Sequence, residues 1–71
     1  NIVTPEFKEI KNGKTRMISI FAKRARGMMA RFIVENRIEA ADRILDFNMA
    51  GYKYNSSLSE DAKPVFTRVQ P

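Results

Sequence analysis

The sequence predicts an α+β fold: a β-hairpin, two helices and a second β-hairpin, with an antiparallel sheet and both helices packed on it. Three observations predict it. Asn12-Gly13 sits between two strand-like runs. Phe21–Arg37 carries apolar residues at steps of three and four. The C-terminal third alternates, first at Tyr52-Lys53-Tyr54 and then over Pro64–Val69. With 71 residues, the chain is read as a single small unit over residues 1–71. A domain of this size buries only about 60% of the surface its unfolded chain exposes.

The first hairpin joins Glu6–Lys11 to Lys14–Phe21 after a short lead-in, Asn1–Thr4, and an edge proline, Pro5. Asn and Gly both accept the positive φ of a type I′ turn, so a two-residue loop fixes the register. Lys11 then faces Lys14, Ile10 faces Thr15 and Glu9 faces Arg16, continuing to Lys8–Met17 and Phe7–Ile18. Glu9–Arg16 reads as a favourable cross-strand pair, Lys11–Lys14 as a mildly repulsive one. Met17–Phe21 is nearly continuously apolar, which predicts a strand covered on both faces.

The chain is organised around the helix that follows. Phe21, Ala25, Met28, Met29, Phe32 and Ile33, with Ala22, fall on one stripe at about 100° per residue. Lys23, Arg24, Arg26 and Arg31 fall on the other side, around Gly27, Ala30 and Val34. That face is cationic at its edges and low in its middle, a shape open to a phosphate backbone or to another protein surface. A solvated face is the structural alternative. Gly27 costs the helix about 1 kcal/mol relative to Ala. Such a glycine is explained by a close backbone neighbour or by ligand approach. Ser19 is an N-cap only if the helix starts early, and Asn36 is a plausible stop.

Ile38, Ala41, Ile44 and Leu45 predict a second helix over Glu39–Asp46, with Glu39 and Asp42 at its N-terminus. Phe47 and Met49 return to the core. Asn55–Lys63 is a polar loop. Its Ser59-Glu60-Asp61 lacks the spacing of a calcium loop. Pro64 opens the last strand.

Composition narrows the chemistry. The chain has no Cys and no His, so the commonest metal ligands and the usual neutral-pH acid–base group are missing. No catalytic residue, metal site or cofactor is predicted. None of the eight carboxylates lies in an obviously buried setting, and no phosphate-cradling glycine loop is present. Net charge is +5, with nine Lys/Arg and two Glu between Lys8 and Arg37. A charge concentrated in this way points to polyanions, nucleic acid before an anionic membrane. The candidate nucleic-acid contacts are Lys14, Arg16, Lys23, Arg24, Arg26, Gly27 and Arg31, with Asn36 and Arg37 further out. Phosphate contacts of this kind position a protein without reading sequence. Stacking on Tyr52 or Tyr54 requires one of them to be exposed. No apolar run approaches the roughly 20 residues of a membrane span. Two other readings compete. A basic amphipathic helix serves membrane surfaces and partner grooves, and the unit is also readable as a purely structural subdomain of a larger protein.

The stretch KNGKTRMISIFAKRARGMMARFIVENRI resembles the C-terminal signature of the YaaA-type peroxide-stress proteins. The resemblance rests on Lys11-Asn12-Gly13-Lys14, Phe21–Gly27, Met29, Arg31, Phe32-Ile33 and Glu35–Arg37. Phe47-Asn48, Gly51-Tyr52 and Val65-Phe66 also match. Phe21, often Tyr in the family, and Ala40-Ala41, a less polar helix start, depart from the pattern. The resemblance implies the last quarter of a longer, cytoplasmic bacterial protein of the oxidative-stress response. It implies limitation of free intracellular iron and DNA binding through a basic cleft lined by Lys23, Arg24, Arg26 and Gly27. Any helix-hairpin-helix element falls outside these residues, and they show no iron ligand set. The start without Met and the doubly apolar Met17–Phe21 also predict a fragment. An apolar patch, or self-association of the isolated chain, is expected with it.

Overall fold

The computed structural model describes residues 3–60 and 62–70, without the side chain of Ala41. Asp61 and the first two lead-in residues therefore lie outside the described residues. In chain order the elements are β1 (Glu6–Lys11), β2 (Lys14–Arg16) and α1 (Ser19–Glu35). Two 3₁₀ segments follow, Ala41–Asp46 and Met49–Gly51, then β3 (Lys53–Tyr54) and β4 (Val65–Val69). The strands form one sheet in the order β2-β1-β4-β3.

The Asn-Gly turn forms as expected. Asn12 and Gly13 adopt φ of 53° and 75°, and Lys11–Lys14, Ile10–Thr15 and Glu9–Arg16 are opposite each other. The pairing stops there, so the Lys8–Met17 and Phe7–Ile18 pairs do not form. Strand β2 has three residues, and the chain is helical from Ser19. The doubly covered Met17–Phe21 strand is thus corrected. Met17 and Ile20 are 60% and 63% exposed. The helical stripe recruits Phe21 and Ala22 at once, and nothing among the described residues covers their upstream neighbours.

The sheet is mixed, not antiparallel. Strand β4 pairs in parallel with β1 and antiparallel with β3. Each hairpin has a local sequence signal; how the two join has none. In the parallel register Phe7 lies beside Phe66 and Glu9 beside Arg68. With period 2, these four side chains share the face that α1 covers. Lys8, Ile10, Thr67 and Val69 occupy the other.

The second α-helix is also corrected, to a 3₁₀ segment of six residues. Its i→i+3 bonds include Arg43 N–H to the Ala40 carbonyl and Phe47 N–H to the Ile44 carbonyl, both 3.0 Å. Residues three apart eclipse in this geometry, so Ile44 and Phe47 are both buried. Helix α1 ends in a Schellman arrangement. Ile38 N–H reaches the Ile33 carbonyl at 3.0 Å and Arg37 N–H the Val34 carbonyl at 3.3 Å. Asn36 is the C-cap, but Arg37, not Asn36, takes the left-handed φ of 50°. Ile33 and Ile38 then pack onto the core, the apolar contact that accompanies this cap.

The core joins Phe7 and Phe66 to Ala22, Ala25 and Met29 of α1 and to Ile44, Phe47 and Tyr52. Phe7 stacks on Phe66 at 5.3 Å and meets Phe47 and Tyr52 edge-on.

Candidate nucleic-acid interface

The periodicity that buries Ala22, Ala25 and Met29 turns Lys23, Arg24, Arg26, Gly27 and Arg31 outward, and all five are exposed. Among the described residues the ion pairs are Lys8–Glu6 and Arg68–Glu9. Among the described residues, therefore, no acidic side chain forms an ion pair with the α1 cations. The low middle of this face holds Gly27 and Ala30, but Ile20 and Val34 share it, and Val34 is 75% exposed. The surface is cationic at its edges with an apolar centre.

A Cβ added to Gly27 meets no atom within 4 Å. Of the two explanations for this glycine, a close backbone neighbour is not found among the described residues. Gly27→Ala is therefore expected to raise stability by about 0.5–1 kcal/mol, read as a higher urea midpoint. A lower midpoint would mean that the helix needs the glycine for its own packing.

Lys14 and Arg16 stand apart from the α1 cations. They lie on the edge strand β2, where with Lys11, Asn12 and Ile18 they line a cleft of about 420 Å³. Glu9 and Gln70 also line it. The predicted set is thus divided between a helix face and a hairpin cleft.

Glu9 corrects the expectation that no carboxylate is buried: it is 2% exposed. It lies opposite Arg16, yet its carboxylate bonds elsewhere. Arg68 Nε donates to Oε1 at 2.8 Å, the Gln70 amide donates to the same oxygen, and the Tyr52 hydroxyl donates to Oε2. The Arg68 guanidinium lies 4.4 Å from the Tyr52 ring centroid and 5.2 Å from that of Phe21. Burial pushes the Glu9 carboxyl up. The hydrogen bonds from Tyr52, Arg68 and Gln70, together with the Arg68 charge, outweigh it and hold Glu9 below the usual carboxylate range. Burial first, then the bond to Glu9 and its charge, pushes the Tyr52 hydroxyl up to about 12. A readable signal existed: Phe7, Glu9 and Lys11 alternate, placing Glu9 on the face of a core phenylalanine. Tyr52 is buried and Tyr54 exposed, so only Tyr54 is open to stacking.

No group of three His, Cys, Asp or Glu gathers as a metal site among the described residues. No helix there is long and apolar enough to cross a membrane.

Fold and surface together define a small basic α+β module with two separate cationic surfaces. The chain belongs to the family of the peroxide stress protein YaaA, whose family model matches residues 1–58. A UPF0246 protein of Colwellia psychrerythraea is 51% identical over 94% of this chain and 26% of its own length. UPF0246 proteins of Cellvibrio japonicus and Flavobacterium johnsoniae are each 49% identical, over 99% and 94% of the chain and 27% of their own lengths. The chain thus spans about a quarter of the curated relatives it matches.

Proposed function

We propose that this chain is the polyanion-binding, non-catalytic part of a cytoplasmic bacterial peroxide-stress protein, one that binds DNA without sequence preference and takes part in limiting free iron. The observation that supports the reading is the outer face of α1: Lys23, Arg24, Arg26 and Arg31 exposed, without an ion-pair partner among the described residues, around a glycine with open space above it. Such a face takes phosphates at its edges while the backbone comes close at Gly27. Protection from peroxide damage follows from the family. The iron role has no ligand set among these residues and belongs to the longer protein.

The test is duplex-DNA binding by fluorescence anisotropy at two salt concentrations. The wild type is expected to bind with Kd of about 10⁻⁴–10⁻⁶ M, weakening steeply with salt. Lys23→Ala/Arg26→Ala is expected to reduce the salt slope by about two. Gly27→Ala is expected to weaken binding although it stabilises the fold. Wild-type chain that stays unbound at low salt would refute the reading.

A second reading rests on a specific observation. Ile20 and Val34, with Met17 just upstream, are exposed beside the same cations. An apolar strip of that kind fits the remainder of a longer protein, with α1 as a buried docking helix. Unbound DNA together with hydrophobic-dye binding or self-association of the chain supports this reading instead.

A further inference from the structure

Helix α1 packs on one side of the central β1–β4 pair, the side of Phe7 and Phe66. Parallel strands are almost always covered on both sides, commonly by helices. On the other side of this pair the shielding stops early. The loop after β3 reaches Val65, whose N–H donates to the Ser59 Oγ at 2.7 Å, and Val65 is buried. At the far end of β4, Val69 is 76% exposed.

The register orders this second face into two rows. Thr15, Ile10 and Val69 lie side by side across β2, β1 and β4. Lys8, Thr67 and Lys53 lie side by side across β1, β4 and β3. The rows are two residues apart, about 7 Å, so one helix of about 10 Å diameter spans both. The first row is apolar apart from the Thr15 hydroxyl. The second is cationic at both ends. Lys53 is exposed and makes no ion pair among the described residues, and Lys8 meets Glu6 at 3.8 Å. Backbone bonds hold the rows in place. Glu6 N–H donates to the Pro64 carbonyl at 2.9 Å and Gln70 N–H to the Ile10 carbonyl at 2.7 Å. A face fixed in this way docks a partner with little ordering cost.

Length and charge together identify the occupant. The chain spans about a quarter of its relatives, so the longer protein has ample residues for a second layer. A second copy of the chain meets these lysines with lysines of its own and with Glu6, which Lys8 already holds. The complementary element is apolar along one row and acidic along the other. We propose that this face of the sheet seats a helix from the remainder of the longer protein, with apolar side chains over Ile10 and Val69 and acidic ones toward Lys8 and Lys53. The outer face of α1 stays free, and the proposal does not rest on the DNA-binding reading.

The chain has no cysteine, so single thiols report on each face. Val69→Cys and Val34→Cys are made in the 71-residue chain and in a chimera where this chain replaces the matching 27% of the Cellvibrio japonicus UPF0246 protein. Alkylation of each thiol is followed by peptide mass spectrometry. Val69→Cys is expected to react at least about tenfold more slowly in the chimera than in the 71-residue chain, and Val34→Cys at the same rate in both. Lys53→Glu added to both proteins is expected to narrow the Val69→Cys ratio about threefold, the size of one like-charge contact. Equal Val69→Cys rates overturn the proposal, as does a ratio that ignores Lys53→Glu. Concentration-dependent slowing in the 71-residue chain alone overturns it too, because a second copy then covers the face. If only Val34→Cys slows in the chimera, the remainder docks on α1 and the proposal fails. If both slow, the proposal stands and the DNA reading of α1 fails alone. Should the chimera not fold, the thiol is placed at the aligned position of the intact Cellvibrio japonicus protein. The same protection is then expected relative to that protein unfolded in urea, and its absence overturns the proposal.

Discussion

Phe7→Ala is expected to cost about 3–5 kcal/mol of stability, most of what this chain holds. A domain of 71 residues has about 4–10 kcal/mol at the usual value per residue. Phe7 is fully buried on the central strand β1, beside Phe66 in the parallel register. Its ring touches the sheet, the 3₁₀ segment and the approach to β3 at once, through Phe66, Phe47 and Tyr52. Truncation removes the transfer energy of the ring and opens a cavity between elements that do not collapse independently. Urea unfolding followed by far-ultraviolet circular dichroism checks this, with Val69→Ala as the control. Val69 is 76% exposed on the uncovered face, so its truncation should stay within about 0.5 kcal/mol. A Phe7→Ala midpoint equal to that of the control would show that the aromatic cluster does not hold the fold.

The features legible in the sequence were those set by short-range chemistry. Asn12-Gly13 specified its turn and three residue pairs. The stripe from Phe21 to Ile33 specified α1, displaced by two residues at each end. Two features were illegible because they depend on distant partners. The alternation at Val65–Val69 marked a strand but not its neighbour, so the parallel β1–β4 pairing was missed. Apolar Met17-Ile18-Ser19-Ile20 has the composition of a buried strand, yet the onset of the helical period overrode β propensity there. Glu9 was missed for a third reason. Its four-residue network spans 61 positions of sequence, from Glu9 to Gln70, and only the parallel register brings Arg68 and Gln70 to it. The basic set was legible residue by residue, but its division between α1 and the hairpin cleft was not.

The same register explains why Glu9 is the second position of large effect. Glu9→Gln is expected to cost about 3 kcal/mol. The side chain keeps its shape but loses its charge and one acceptor. Three donors from Tyr52, Arg68 and Gln70 would then meet one oxygen and an amide that donates as well. Arg68 would be left half-buried against two aromatic rings without its counter-charge. The pH dependence separates this account from simple loss of packing. The folded Glu9 carboxyl lies below its ordinary value of 4.5. In the window below that value the unfolded chain binds the proton more readily. The stability Glu9 contributes is therefore complete above about pH 4.5 and is lost as pH falls through the folded pKa. The gap between wild type and Glu9→Gln should be widest near neutrality and shrink on acidification. A purely steric effect keeps the gap constant. At the alkaline end the sign reverses: Tyr52, raised to about 12 from 10, contributes stability below pH 10 that is lost as pH climbs through the folded value. In Glu9→Gln, burial remains while the charge of Glu9 is gone and its single remaining acceptor oxygen is contested by three donors, so the Tyr52 phenolate should appear earlier on alkaline titration. An unchanged phenolate titration, with a stability gap that ignores acid, would show that Glu9 and Tyr52 do not share a proton-sensitive bond.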